Sequence, residues 1–272
     1  MTSQLEISVL GPLRVVRDGE LVTPRADKQR VTLAALAVQP GNSVAASRLV
    51  EELWADRPPP SAANTLQTYV RHLRRVLEPT RRPRSPSLLA YSDGGYALAV
   101  DRDRVDACCF EDAVTAARSR RARHPAAARA HLRAGLERWR GAPLADLPVG
   151  PILAQAIMRW EELRLAALEE RLALDIELSD HAQGVGELLE LVDANPTRER
   201  LWALLLIALY RAGRQADALA AYRRIHGLLA DELGVLPGPE LAHVHAAILR
   251  HRARLSGPPD LLAVRASAGR GG

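Results

Sequence analysis

Between Ala62 and Glu78 the chain reads AANTLQTYVRHLRRVLE. At about 100° per residue, Asn64, Thr68, Arg71 and Arg75 fall on one line along a helix, flanked by Gln67 and Arg74 on one side and by Thr65, Tyr69 and His72 on the other. Side chains of these kinds read base edges: Arg pairs with guanine, Asn and Gln pair with adenine, and Thr hydrogen-bonds to either. Leu66, Val70, Leu73 and Leu77 form the opposite, apolar face. A helix so divided can lie in a DNA major groove while its other side stays in a protein core. The same pattern also suits a solvated, Arg-rich surface helix, so the rest of the chain must separate the two readings.

Other chemistry is poorly supplied. Lys28 is the only lysine and no glycine pattern surrounds it, which excludes a Walker A phosphate loop. The G-x-G-x-x-G, H-E-x-x-H and G-x-S-x-G signatures are absent from the sequence. His243 and His245 are two apart, so a helix points them in different directions. Cys108 and Cys109 are adjacent, a spacing that neither bridges easily nor chelates zinc, and are read as small buried hydrophobes in a reducing compartment. The pairs Glu161-Glu162, Glu169-Glu170 and Asp231-Glu232 stand beside arginines at helical spacing and read as solvated ion-pair faces. No enzyme activity, metal or cofactor is expected.

With 272 residues, 47% of them apolar, the chain can fill two medium domains. Aromatics make up only 4%, which favours helices packed through aliphatic seams. The net charge of +5 is unevenly placed: residues 64–84 hold six Arg against Glu78 alone. A basic excess concentrated on one helix and its exit loop is the electrostatic footprint expected for phosphate. No leader opens the sequence, and the longest uncharged apolar run, Trp202 to Tyr210, is far shorter than a bilayer span, so a cytoplasmic, nucleoid-associated protein is expected.

The elements that would position the Ala62–Glu78 helix are legible on both sides of it. Leu5, Ile7 and Val9, then Leu13 and Val15, alternate as strands do, and Asp18-Gly19 marks a hairpin turn before Leu21. Helical periodicity begins near Asp27, a candidate N-cap, with Val31, Leu33, Leu36 and Ala37 inward, and ends at Pro40-Gly41. A second helix runs from about Ala46 to Trp54 and stops before three prolines at 58–60, where Ser61 can cap the third. Residues 88–100 read as a hairpin turning at Ser92-Asp93-Gly94-Gly95. Strands, three helices and a hairpin within about 100 residues describe an α+β winged helix-turn-helix whose hairpin is the wing. Residues 101–106 read as a joint, after which helices are expected near 107–121, 125–139, 152–180, 184–194, 198–212, 215–230 and 239–254. Trp202, Leu205, Leu209, Ala218 and Tyr222 fall at tetratricopeptide spacing, with Leu206 where that pattern has Gly. The expected domains are 1–104, the winged helix; 105–254, all-α and tetratricopeptide-like; and 255–272, a disordered tail.

Trp54-Ala-Asp56-x-Pro58-Pro59, followed by Ala62, Leu66-Gln67, Val70 and Leu73-Arg74-Arg75-x-Leu77, resembles the DNA-binding domain of the Streptomyces antibiotic regulatory proteins, within the wider OmpR/PhoB-like winged helices. Leu209-Tyr-Arg-x-Gly213-Arg214-Gln215-x-Asp217-Ala218-Leu219-x-x-Tyr222, with Glu232-Leu233-Gly234-x-x-Pro237-Gly238-Pro239-Glu240-Leu241, is similar to that family's bacterial transcriptional activation domain. The resemblance implies an activator of secondary-metabolite genes that binds direct repeats of double-stranded promoter DNA as a homodimer and recruits RNA polymerase holoenzyme. Asn64, Thr65, Gln67, Thr68, Arg71 and His72 are then candidates for base contacts, and Arg74, Arg75, Arg81, Arg82 and Arg84 for phosphate contacts. The loop carrying Trp54, Asp56, Arg57, Pro58 and Pro59 is the candidate polymerase contact. The chain departs from the wider group at the wing tip, where Ser92-Asp93 replaces a basic residue; the arginines of residues 81–84 would supply phosphate contacts instead. Two alternatives remain: a helical-repeat interaction scaffold with a vestigial winged domain, and a repressor that blocks its promoter.

Overall fold

The computed structural model describes residues 5–22, 24–80, 85–178 and 181–250. These form two compact units, one of residues 1–119 with 131–165 and one of residues 120–130 with 166–272. The boundary expected between residues 104 and 105 falls inside the first unit.

The first unit opens with an antiparallel sheet of β1 (Leu5–Ser8), β2 (Arg14–Arg17) and β3 (Glu20–Leu21), in which Ile7 faces Val15. Asp18 and Gly19 turn the hairpin with φ of 51° and 84°, the positive pair that a two-residue turn between twisted strands requires. Three mutually packed helices come next: α1 (Asp27–Ala37), α2 (Ala46–Trp54) and α3 (Ala62–Leu77). In α1 every residue from Val31 to Ala37 is buried, not only the expected stripe, because small Thr and Ala side chains let neighbours close on all sides. Ala26, not Asp27, holds its N-cap position, and Asp27 lies in the first turn, where a carboxylate meets the positive helix end. Ser61 does hold the N-cap position of α3 but makes no capping bond with its hydroxyl.

Leu66, Val70, Leu73 and Leu77 are all at most 1% exposed, as the spacing predicts. The hairpin of β5 (Leu89–Ser92) and β6 (Gly95–Leu98) turns at Asp93 and Gly94, again with paired positive φ of 53° and 73°. A short strand that the sequence does not announce, β4 (Val44–Ala45), pairs with β6 and makes the wing a three-stranded sheet. This approach requires glycine at 95, where a Cβ would stand 2.3 Å from the Val44 carbonyl oxygen.

Residues 101–106 are structured. Arg102–Arg104 form a 3-10 turn, Val105 bridges Ile7 in parallel, and α4 (Asp106–Arg120) begins directly afterwards. The buried Asp106 carboxylate accepts hydrogen bonds from the backbone N–H of Val9 at 2.7 Å and of Leu10 at 3.2 Å. After α5 (Pro125–Leu136), the chain returns to the stretch that follows β1: Arg140 N–H donates to the Leu10 carbonyl at 2.8 Å and Leu144 N–H to that of Gly11 at 2.7 Å. Asp146 accepts from Leu13 N–H at 2.8 Å and pairs with Arg30 of α1. Buried Glu52 of α2 accepts from the N–H groups of Gly150, Ile152 and Leu153, capping the first turn of α6 (Pro151–Glu177).

The second unit is all α, with α7 (His181–Ala194), α8 (Glu199–Arg211), α9 (Gln215–Leu228) and α10 (Pro239–Leu249). A π-helical turn, Leu229–Leu233, extends α9 and ends at Gly234, whose φ is 65°. α8 is the core helix, buried from Leu201 to Leu209 and packed on α7, α9 and α10. Of the tetratricopeptide positions, Trp202, Leu205, Leu209 and Ala218 are buried, and Tyr222 stacks on His245 with ring centroids 3.6 Å apart. Trp202 satisfies its indole N–H at the Pro196 carbonyl, 2.9 Å away. Glu169, expected on a solvated face, is buried and held by Arg198 at 2.7 Å; a helix face turned inward retains a charge only with such a partner. The tail expected over residues 255–272 lies outside the described residues.

Two buried carboxylates of the first unit give measurable outcomes. Glu52→Ala leaves three helix-terminal N–H groups without their acceptor and should lower stability by about 2 kcal/mol in denaturant unfolding. Burial raises the Asp106 pKa above its ordinary value, outweighing the backbone hydrogen bonds and Arg140, which lower it. A raised carboxyl pKa means stability that is full at low pH and is lost as pH rises through the folded value. Wild type should therefore gain on Asp106→Asn as pH falls through that value, read as the difference between their melting temperatures.

Candidate nucleic-acid interface

The outer face of α3 is where the sequence places it. Asn64, Gln67, Thr68, Arg71 and Arg75 are exposed, and Thr65, His72 and Arg74 are half-buried on the flanks. Among the described residues, Asn64, Gln67, Arg71 and Arg75 make no side-chain hydrogen bond or ion pair, so their donors and acceptors face water. Two guanidiniums that are always charged thus stand one turn apart with no carboxylate opposing them. Glu78, the only acid in the stretch, instead accepts from Ser87 Oγ at 2.5 Å and Leu88 N–H at 3.0 Å, pinning the start of the wing.

The remaining candidates have partners within the protein. The Thr68 and Thr65 hydroxyls donate back to the carbonyls of Asn64 and Ser61, each at 3.0 Å, which leaves their lone pairs to accept from outside. His72 Nδ1 lies 3.1 Å from Nε2 of buried Gln29. With the Gln29 amide donating, Nδ1 accepts and the proton sits on Nε2, a donor on the far edge of the ring. Arg74 spends its guanidinium on the Leu89 carbonyl, with Nε at 3.0 Å and Nη2 at 2.6 Å, tying α3 to the wing. Arg81, Arg82 and Arg84 lie outside the described residues.

In the wing, Asp93 is exposed at the tip, and Tyr91 beside it is 62% exposed, its ring edge-on to Tyr96 at 5.1 Å. Burial raises the Tyr96 phenol above its ordinary pKa, opposed by the charge of Arg74.

α2 ends at Trp54, half-buried, its ring stacked near-parallel on Tyr69 of α3 at 6.2 Å, and the loop follows. Lys28 Nζ stands 4.5 Å from the Trp54 ring centroid and donates to the Leu53 carbonyl. Asp56, Arg57 and Pro58 are exposed, and Pro59 is half-buried. Gln29 supports the flank of the face through His72 and was not singled out from sequence, whereas Lys28, noted there only as the solitary lysine, and Tyr69, placed there on the helix flank, both meet Trp54.

No alternative chemistry gathers elsewhere among the described residues. No group of three or more His, Cys, Asp or Glu there could hold a metal ion. Burial pushes the Cys108 thiol up to about 11, far from the thiolate that reactivity needs. No described helix is long and apolar enough to cross a membrane.

Residues 23–98 match the family model described as "Transcriptional regulatory protein, C terminal", and residues 105–249 match "Bacterial transcriptional activator domain". The chain is 38% identical to regulatory protein DnrI of Streptomyces peucetius, covering 90% of this chain and 92% of that protein. It is 40% identical over 94% of its length to regulatory protein AfsR of Streptomyces griseus, of which it spans only 26%. A solved structure of Mycobacterium tuberculosis EmbR, in complex with a low-affinity phosphopeptide, superposes with a TM-score of 0.88 at 32% identity, covering 98% of this chain and 71% of that one. The α+β winged helix and the tetratricopeptide-like helical region are therefore the fold of this group, and the chain belongs to the Streptomyces antibiotic regulatory protein family of transcriptional regulators.

Proposed function

We propose that the chain activates secondary-metabolite genes by binding direct repeats beside a promoter through α3 and recruiting RNA polymerase holoenzyme. The observation that carries this reading is the exposed row of Asn64, Gln67, Arg71 and Arg75, unpartnered among the described residues, over a fully buried apolar face. Two guanidiniums left unopposed on one line give the face the positive potential that a phosphate backbone would meet. Asn64, Gln67, Thr68, Arg71 and the Nε2–H of His72 read bases, with Thr65 beside them. Arg75 and the loop residues Arg81, Arg82 and Arg84 hold phosphates, and Arg74 holds the wing.

Direct repeats set two protomers facing the same way, with about one helical turn between repeats so that both lie on one side of the duplex. Trp54, Asp56, Arg57, Pro58 and Pro59 meet the polymerase. In this division of labour residues 1–104 read DNA, residues 105–254 carry activation, residues 255–272 are a tail, and the whole acts in the cytoplasm at the nucleoid.

The test uses a duplex selected by the full chain from a random pool. Arg75→Ala should make the slope of log affinity against log salt shallower by about 0.9, the share of one phosphate. Arg71→Ala should relax the preference at one base pair by about 1–3 kcal/mol. Arg74→Leu should weaken binding with the salt slope unchanged, because it loosens the wing. Unchanged affinity in the Arg71→Ala, Arg75→Ala double variant would overturn the assignment of α3. Tight binding that lowers transcription from that duplex would make the chain a repressor.

A further inference from the structure

Lys28 is the one lysine of the chain, and it sits in the first turn of α1, the end of a helix that disfavours a cation. Its ammonium is drawn elsewhere. It donates to the carbonyl of Leu53, one of the α2 C-terminal carbonyls that no helical N–H can reach, and it lies 4.5 Å from the Trp54 ring centroid. The Trp54 ring in turn stacks on Tyr69 of α3.

The next residue, Ala55, has φ 50° and ψ −128°, a conformation that a residue bearing a Cβ rarely adopts. Such a turn persists only when its surroundings hold it. Its own backbone N–H is fastened to the Glu51 carbonyl at 2.7 Å, and Arg57 N–H to that of Trp54 at 3.1 Å. Asp56, Arg57 and Pro58 then project with no side-chain partner among the described residues.

We infer that Lys28 is a positioning residue for the loop after α2: by fixing Leu53 and Trp54 it holds the strained turn at Ala55 and so aims Asp56–Pro59 at the polymerase. This rests on the polymerase-contact reading of that loop. Because Trp54 also touches Tyr69, the loop's direction is set from the DNA-reading helix, so a protomer seated on DNA presents the loop at a defined angle.

The solitary lysine makes the clamp directly observable. Reductive methylation of the full chain with 13C-formaldehyde labels one side chain, apart from the terminal amine, and preserves its charge. The labelled methyls should resonate upfield of the same label in a Trp54→Leu variant, through the ring current of Trp54; coincident resonances would overturn the clamp. Transcription is then measured on the selected duplex with Streptomyces coelicolor RNA polymerase holoenzyme.

Lys28→Met should keep duplex affinity within about twofold and lower stimulated transcript about tenfold, with Lys28→Arg restoring part of it. Ala55→Gly, which leaves Lys28 in place and frees the turn, should show the same split even if Lys28→Met folds poorly. Affinity and transcription falling in parallel in both variants would overturn the positioning role. A wild-type chain that binds its duplex without stimulating transcription would overturn the polymerase reading and this role with it, while the methyl shift would still report whether the clamp exists.

Discussion

α3 can present unpartnered arginines outward only because its other side is wholly withdrawn from water. Each of Leu66, Val70, Leu73 and Leu77, when fully buried, contributes about 1.5–3 kcal/mol. That burial supports an outer face on which, among the described residues, Arg71 and Arg75 make no side-chain hydrogen bond or ion pair. The constraint also fixes orientation. The apolar and polar rows lie nearly half a turn apart, and a slip of one residue, about 100°, would already carry the leucines out of the core to a flank, so the aliphatic spacing determines which side chains face outward. The flanks are adjusted more finely. Gln29 selects the edge of His72 that carries a proton, and the Leu89 carbonyl takes Arg74 out of the free set.

The same economy of polar groups joins the DNA-reading region to the stretch between residues 105 and 153. Three carboxylates from different stretches, buried Asp106 and Glu52 and exposed Asp146, each satisfy backbone N–H groups far away in sequence: Asp106 at Val9 and Leu10, Glu52 at the start of α6, and Asp146 at Leu13. A buried N–H without an acceptor costs about 1–3 kcal/mol, so each of these contacts resists separation of the segments it links. Gly150 shows how close the fit is, since a Cβ there would stand 2.5 Å from the Glu52 carbonyl oxygen. A compact unit that runs past residue 104 is the consequence of this bonding. The family models still divide the chain near that point, with one match ending at residue 98 and the other starting at 105. Ancestral modules and packing units need not share a boundary.

Much of this was legible in the residues. The four-three-four leucine spacing located α3 and its outer face, the Asp-Gly turns located both hairpins, and the proline run located the end of α2. What escaped was of one kind. β4 is two residues long and has no alternation to show. The partners of Arg74, His72 and Glu169 come from residues 15 to 43 positions away, and helical periodicity carries no information about such pairs. Charge runs likewise show where arginines are but not which have been neutralised. Of the three adjacent candidates Arg71, Arg74 and Arg75, the fold ties down the middle one.

That removal bears on the wing. An acidic tip at Asp93 is a poor probe for a groove lined with phosphates, and a hairpin contributing little at its tip would be expected to be loosely held. It is instead fastened at both ends of β5, by Arg74 at Leu89 and by Ser43 Oγ at the Ser92 carbonyl, 3.0 Å away, and β4 covers its other edge. Rigidity without a basic tip suits a wing that acts as a wall, holding α3 at a fixed tilt and offering the exposed ring of Tyr91 to the sugar-phosphate backbone. On the proposed reading, specificity would then rest almost wholly on α3, whose outer side chains Asn64, Gln67, Arg71 and Arg75 are unpartnered among the described residues.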